Sequence, residues 1–495
     1  MAIELADLTV QNPWWISADS INRDPRIRDY ENAAIKWMPR LRYYLDSNRD
    51  GMYSVRGPRQ VGKTTLVKLI IREELKTRKP SDIFYYACDL INTAKELNAV
   101  LGTYIDWASR QGDGRKLICL DEVQKIPDWE SAYKFVADTY SLEKKTFLIT
   151  GSSSWDLKHG IERLGGRKGE YSGASSHKIL VPMKFAEYLE LRKPEFNRIM
   201  LDSGLLGREK RKLAFQGLFS KNTPAWVDNL LPFQSDLNAL VDEYMLTGGI
   251  MPAVNQLAAK MEISNSTYEA YLQLFFGDVA RLKRDESTAK KVLSAVIRHQ
   301  GKPVGWTTIK KNYDIPTSVT VAQYAEVLQT LFVLNVYHSY DQNRGEAKFR
   351  SEKKLQIPNA FFYHAFRGYL TNPAGDYFAM AKEFTMSQEG KALLAEFMVG
   401  DHLTRLAYGF APRDLFDQSN SVFYSRNRGG EGVDFIVRLP GAVIPVEVCY
   451  QQSIGKEDYK NLYRFGKGIQ VTKQTYDFSD KNYPTLPLPF FLLLV

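Results

Sequence analysis

Nine consecutive residues, Gly57-Pro58-Arg59-Gln60-Val61-Gly62-Lys63-Thr64-Thr65, carry the first chemistry in this chain. Four residues separate the two glycines, and a lysine and a threonine follow the second. That spacing suits a phosphate cradle. Glycine lets successive backbone N–H groups turn toward one anion. Lys63 can reach the β- and γ-phosphates of a nucleotide as a point charge, and the Thr64 hydroxyl can ligate Mg²⁺. Further on, "KLICLDEVQ" runs an apolar stretch straight into Asp121 and Glu122. Asp121 can hold the Mg²⁺ shell through water, and Glu122 can orient and deprotonate an attacking water. Ser152 and Ser153 close a further apolar stretch, "TFLITGSSS". Either serine can hydrogen-bond the attacking water or the γ-phosphate, or it can cap a helix, a position where serine is preferred. Arg167 follows a Gly-Gly pair, with Arg163 one helical turn before it. An exposed arginine there can reach the γ-phosphate of a neighbouring subunit or make an ordinary surface salt bridge.

These residues need elements to hold them. "MYSVRG" reads as a short strand before the cradle, and "KTTLVKLIIREELKTR" as a helix after it, with Leu66, Leu69, Ile70 and Leu75 on one side. A helix N-terminus under the phosphates adds its dipole. "SDIFYYACDL", "KLICLD" and "TFLITG" read as further strands, and "KELNAVLGTYIDWASR" as a helix between the first two of them. Strands alternating with helices predict an α/β fold with a parallel sheet, helices on both faces, and the ligand at the carboxyl ends of the strands. No guanine-reading Asn-Lys-x-Asp motif stands out, so ATP with Mg²⁺ is the expected nucleotide.

At 495 residues, the length suggests about three or four domains of about 150 residues each. No apolar run reaches the ~20 residues of a membrane helix, so no membrane partner is expected. The terminal "FFLLLV" reads as a buried final strand. "MAIELADLTV" has no basic leader region. Cys88, Cys119 and Cys449 lie far apart in apolar segments. They form neither a disulfide framework nor a zinc site, which fits a cytoplasmic protein. The formal net charge is +9, and part of it is local. Residues 281–311 hold nine Lys/Arg against two acids, Asp285 and Glu286.

Residues 190–285 are patterned as helices. Beyond them, "AKKVLSAVIRHQG" reads as a helix with Val292, Leu293 and Val296 on its apolar face. "GWTTIKKNYDI" reads as a second helix, "PTSVTVAQYAEVLQT" as a capped third, and "LFVLNVYHSY" as a strand. Three helices and a strand suggest a winged helix-turn-helix. Thr317, Ser318, Thr320 and Gln323 would then face DNA bases, with Arg298, Lys310 and Lys311 on phosphates. A small bundle for protein contact is the alternative. In the last third, "GKALLAEFMVGDHLTRL" reads as an apolar helix with one acid, Glu396. "SVFYSRNRGGEGVDFIVRLPGAVIPVEVCY" reads as three short strands, with Asp434 on the second and Glu447 on the third. A helix acid, a strand Asp and a Glu-x-Lys follow this order in restriction-endonuclease-like folds, where the two strand carboxylates hold a divalent metal. Here Cys449 stands at the lysine position. Cysteine supplies no permanent positive charge, so cleavage is not expected. Lys456 or Lys460 could reach in from the next segment. Otherwise the acids would be satisfied locally by ion pairs, for instance with Arg426 or Arg438.

"GPRQVGKTT", "LICLDEVQ", "LITGSSS", "LGGRKGEY" and "ILVPMKFAEYL" occur in the order found in a group of prokaryotic AAA-type ATPases. "YMLTGGIMPAV", Tyr244 to Val254, looks like that family's linker. The resemblance spans residues 30–460. It implies a P-loop AAA-type core with a helical lid, then a domain of unknown function with a winged-helix part and a nuclease-like part. By resemblance, Arg167 is the family's Gly-Arg position after the fourth strand. The expected organisation is an N-terminal helical extension (1–50), the ATPase core (51–190), a helical lid (191–285), a winged helix (286–345) and an α+β restriction-endonuclease-like domain (346–495). The function expected is ATP hydrolysis acting on DNA, in a possible homo-oligomer. The alternatives are a nucleotide-gated switch for a protein partner and an ATP-regulated, metal-dependent nuclease.

Overall fold

The computed structural model describes residues 3–152, 176–220, 222–410, 418–427 and 430–495. The chain divides into two compact units, Met1–Val181 and Pro182–Val495.

In the first unit, β1 (Gly51–Arg56), β2 (Ile83–Ala87), β3 (Lys116–Asp121), β4 (Lys145–Gly151) and β5 (His177–Ile179) form a sheet ordered β2-β3-β4-β1-β5. Every pairing in it is parallel. Its strands are almost continuously apolar, as a sheet buried on both faces requires. One face carries Phe84, Tyr86, Ile118, Leu120, Phe147 and Ile149 against Leu97, Val100, Leu101 and Tyr104 of a long helix and Ala132, Tyr133 and Val136 of the next. The Phe84 and Tyr104 rings stack at 4.3 Å. On the opposite face, the ammonium of Lys68 from the helix Lys63–Glu74 lies 3.3 Å from the centre of the Tyr85 ring. Helices therefore cover both faces, and every strand reading in the first half of the chain has its counterpart in the structure.

The N-terminal extension closes the free edge of β2. Asn12 accepts from the Tyr85 N–H at 2.7 Å and donates to the Tyr85 carbonyl at 2.9 Å. Trp14 and Trp15 both donate indole N–H bonds to the Ile83 carbonyl, at 3.0 and 2.9 Å. Gln11 accepts from the Ala87 N–H at 2.8 Å. Side chains thus do what a sixth strand would do. An open edge is otherwise a template for pairing with another chain.

In the second unit, helices fill most of residues 185–298. Helices Glu286–Arg298, Trp306–Asn312 and Ser318–Thr330 follow the sequence reading, and Val292, Leu293 and Val296 are buried as expected. A long hairpin then joins β7 (Asn335–Asp341) to β8 (Glu346–Gln356), and β6 (Pro303–Val304) pairs with β8. After three more helices come β9 (Val422–Tyr424), β10 (Phe435–Leu439), β11 (Ala442–Cys449), β12 (Ile469–Thr472) and β13 (Thr485–Pro487). All of these strands belong to one mixed sheet of order β13-β12-β11-β10-β9-β7-β8-β6. Parallel pairing of β7 with β9 joins the hairpin to the C-terminal strands. The C-terminus corrects the sequence reading. Leu488–Leu494 is a helix, not a strand, although it is buried throughout. Pro487 at its N-cap and Pro489 in its first turn preset a helical start. Among the described residues no helix is long and apolar enough to cross a membrane.

Asn12 is fully buried, so replacing it strands two backbone groups of β2. Asn12→Ala should lower the unfolding free energy by about 2–3 kcal/mol, the cost of leaving buried polar groups unpaired. Chemical denaturation of the purified chain measures this, and an unchanged midpoint would contradict the clamp.

Candidate functional site

The cradle forms where β1 turns into the helix Lys63–Glu74. Gly62 sits at the helix N-cap with φ +95°, a region open to glycine and costly for other residues. Gly57 is needed for a different reason. A Cβ there would lie 1.9 Å from the Leu180 carbonyl oxygen. Lys63 is buried and donates to the Gly57 and Pro58 carbonyls at 2.9 and 3.0 Å, folding back along the loop it belongs to.

Asp121 ends β3 and gathers hydroxyl donors. It accepts from Thr64 Oγ1 at 2.7 Å, Tyr85 Oη at 3.0 Å, and Thr150 Oγ1. The Thr64–Asp121 pair is the expected Mg²⁺-holding pair, brought together with no partner in between. Burial and the Asp121 charge push the Tyr85 phenol well above its ordinary value, so it stays a neutral donor.

Glu122 follows in left-handed backbone geometry, φ 55°. Its Oε2 accepts from Gln124 Nε2 at 2.7 Å and Ser152 Oγ at 3.1 Å, and Arg59 Nη1 lies 3.4 Å away. Lys63 Nζ is 3.9 Å from Oε1. Burial pushes the Glu122 carboxyl up, but Lys63 and Arg59, with the Gln124 and Ser152 donors, outweigh it and hold the group below the usual carboxylate range. The Glu122 carboxylate is therefore held in its charged form. Ser152 is buried and donates to Glu122. Ser153, Arg163 and Arg167 lie outside the described residues.

The residues of the cradle fit ATP and Mg²⁺. The glycines leave room for phosphate, Lys63 already lies along the loop, and a hydroxyl–carboxylate pair faces it. A bound Mg²⁺ would neutralise phosphate charge there. Sequence reasoning missed Tyr85 and Gln124. No motif marks either one, and each is brought in by the sheet or the turn.

In the second unit, Arg298, Lys310, Lys311, Thr317 and Gln323 are exposed, and Ser318 and Thr320 are half-buried. Thr317 caps its helix by accepting from the Thr320 N–H at 3.0 Å, and the two hydroxyls lie 2.9 Å apart. Two of the four expected base readers are therefore engaged in capping.

At the C-terminal sheet, Asp434 stands immediately before β10 and Glu447 lies on β11. Their cationic partner is not one that sequence reasoning named. Lys354, from β8, lies 2.7 Å from Glu396 Oε1 and 3.0 Å from Asp434 Oδ1. Asp434 also accepts from the Val448 N–H at 3.0 Å. Glu447 accepts from the Asp434 N–H at 3.0 Å and from Asn461 at 3.2 Å. Arg426 and Arg438 do not satisfy these acids. Arg426 bonds the Gly430 carbonyl, and Arg438 the Asn420 and Gly345 carbonyls. Lys460 pairs with Glu431 at 2.9 Å, and Lys456 is exposed. Cys449 Sγ faces Asp458 at 3.5 Å. Burial and then the Asp434 charge push Glu447 up. Burial would lower Lys354, but Asp434 and Glu396 hold its ammonium above the ordinary lysine value. Among the described residues, no three His, Cys, Asp or Glu side chains gather in a way that could hold a metal.

Residues 49–189 match the family described as an AAA domain, and residues 238–372 match a domain of unknown function, DUF8612. The uncharacterized protein MJ1637 of Methanocaldococcus jannaschii is 22% identical over 328 residues, 63% of this chain and 62% of that protein. The match thus spans under two thirds of that relative's length. Among solved structures, the Walker-type ATPase PABY2304 of Pyrococcus abyssi aligns at TM-score 0.39 and 13% identity, over 71% of this chain and 97% of that one. The ORC1 protein of Aeropyrum pernix, solved in complex with DNA, aligns at TM-score 0.31 and 14% identity, over 74% and 97%. The RuvB Holliday junction branch migration motor of Thermotoga maritima aligns at TM-score 0.26 and 14% identity, over 67% and 89%. Residues 49–189 thus combine a match to the AAA domain with the phosphate-cradle geometry described above.

Proposed function

We propose that this chain hydrolyses ATP with Mg²⁺ and uses the cycle to act on DNA. One observation carries the first half of that reading. The cradle lysine, the Thr64–Asp121 pair and the ionised Glu122 converge at the carboxyl ends of one parallel sheet. Phosphoryl transfer needs positioning and charge neutralisation more than covalent chemistry, and these four residues supply both.

The DNA half rests on the second unit. Three helices, a strand between the first two, and a following hairpin match the order of a winged helix, in which the third helix enters the major groove. Exposed Arg298, Lys310 and Lys311 suit phosphate contacts, which set affinity and its salt dependence. With Thr317 and Thr320 occupied in capping, Ser318 and Gln323 remain as base readers. Sequence discrimination should therefore be modest.

A second reading, an ATP-regulated metal-dependent nuclease, draws support from Lys354. The cation lacking at Cys449 is present in space, against Glu396 and Asp434. Two strand carboxylates and a lysine are the parts such chemistry uses.

Lys63→Ala should abolish ATP binding in a calorimetric titration. Glu122→Gln should bind ATP but lose turnover; full turnover would remove Glu122 as the base. Hydrolysis by the wild-type chain should rise with duplex, branched or single-stranded DNA, and DNA binding should weaken steeply between low and moderate salt. Hydrolysis indifferent to every DNA form, with no binding at any salt, would instead favour a nucleotide-gated switch for a protein partner. The nuclease reading expects nicking of supercoiled plasmid with Mn²⁺ or Mg²⁺, lost in Asp434→Asn and in Lys354→Met. Intact plasmid under all these conditions removes it.

A further inference from the structure

Gln124 lies outside the cradle motif and after the Asp-Glu pair, and the ATPase reading assigns it nothing. Its side chain is 6% exposed. Nε2 donates to Glu122 Oε2 at 2.7 Å and to Ser152 Oγ at 3.2 Å, while Ser152 Oγ donates to the same Glu122 oxygen at 3.1 Å. The three groups form a closed triangle about one carboxylate oxygen. The other atom of the amide, Gln124 Oε1, is buried and has no hydrogen-bond partner among the described residues. A buried acceptor without a donor is costly, and such exceptions call for an explanation.

The backbone that carries the pair is constrained as well. Glu122 is held at φ 55°, a conformation that costs free energy for a side chain other than glycine and that persists where the surroundings enforce it. The Glu122 N–H is fixed by Thr150 Oγ1 at 3.0 Å, and Lys125 N–H bonds back to the Glu122 carbonyl at 3.0 Å. The turn carrying Glu122 and Gln124 is therefore rigid at both ends, and only the two side chains have freedom to lose. The bond between them removes it.

We propose that Gln124 is a positioning residue for ATP hydrolysis: it locks the Glu122 carboxylate toward the attacking water. Glu122 accepts one water proton at its other oxygen. The water oxygen then bonds the γ-phosphorus as the bond from phosphorus to the β,γ-bridging oxygen breaks. ADP leaves with that electron pair. Arg59 and Lys63, which face Glu122 at 3.4 and 3.9 Å, are the cations that an arriving triphosphate would draw away. The Gln124 and Ser152 bonds are the ones left to hold the carboxylate during the reaction.

This inference rests on the ATPase reading, so the experiment separates the two. Steady-state hydrolysis and calorimetric ATP binding are measured on the full chain for wild type, Glu122→Gln, Gln124→Met and the double variant. Methionine keeps the length of glutamine and removes both polar atoms. Gln124→Met should lower kcat by about 10- to 100-fold, less than the ~10²–10⁴-fold that a proton-transfer group itself supplies, because Gln124 only positions that group. KM and the ATP dissociation constant should stay within about twofold, because the lost interaction acts in the transition state. In the Glu122→Gln background the same change should do nothing further, because Gln124 acts through Glu122. Gln124→Asn, which keeps the amide but withdraws it by one methylene, replaces Gln124→Met if that variant does not fold. A kcat unchanged in Gln124→Met, or a full further drop in the double variant, overturns the proposal while leaving the ATPase intact. No hydrolysis by wild type, or full turnover in Glu122→Gln, overturns the ATPase reading instead.

Discussion

Asp121 is the point on which the first unit turns. Its carboxylate is taken out of water, a cost that stands unless hydrogen bonds replace the lost hydration. Three hydroxyls replace it, from Thr64 at the start of the cradle helix, Tyr85 on β2 and Thr150 on β4. One side chain at the end of β3 thus ties together both neighbouring strands and the helix that floors the nucleotide site. Charge-assisted bonds of this kind are stronger than neutral ones. The same bonds that stabilise the sheet also set the distance between the cradle and Glu122. Stability and the geometry of the site share one anchor here.

Much of this was legible in the sequence because the first half obeys local rules. The glycine spacing, the apolar strands and the acids at their ends each follow from backbone sterics or burial. What was not legible depends on contacts between distant residues. Tyr85 looks like one more apolar strand residue until β2 pairs with β3. The C-terminal "FFLLLV" was read as a strand because a short apolar run has no period to distinguish strand from helix. The prolines at 487 and 489 were the available signal. Lys354 was missed for a related reason. It lies 80 residues before Asp434, on a strand that the sequence reading did not mark, whereas the cations that reading named, Arg426, Arg438, Lys456 and Lys460, all lie close to the acids along the chain.

The second unit shows why module boundaries drawn along the sequence mislead. The hairpin β7–β8 and the strands β9–β13 make one sheet, and Lys354 crosses between them as a buried charge. A buried lysine flanked by two carboxylates is tolerated only as a set, since removing one member leaves the others unpaired. The hairpin and the C-terminal strands are therefore bound by covalent sequence, by ladder hydrogen bonds and by electrostatics together. What one does, the other must accommodate.

The N-terminal clamp on β2 has an implication for synthesis. Asn12 precedes Tyr85 by 73 residues. At about 5–20 residues per second of translation, the clamp emerges some seconds before the strand it covers. β2 therefore leaves the ribosome with its edge partner already made. Because the clamp consists of side chains and not of a strand, it cannot pass the edge on to another molecule. The segment is synthesised before the edge it covers and is retained against it in the finished fold.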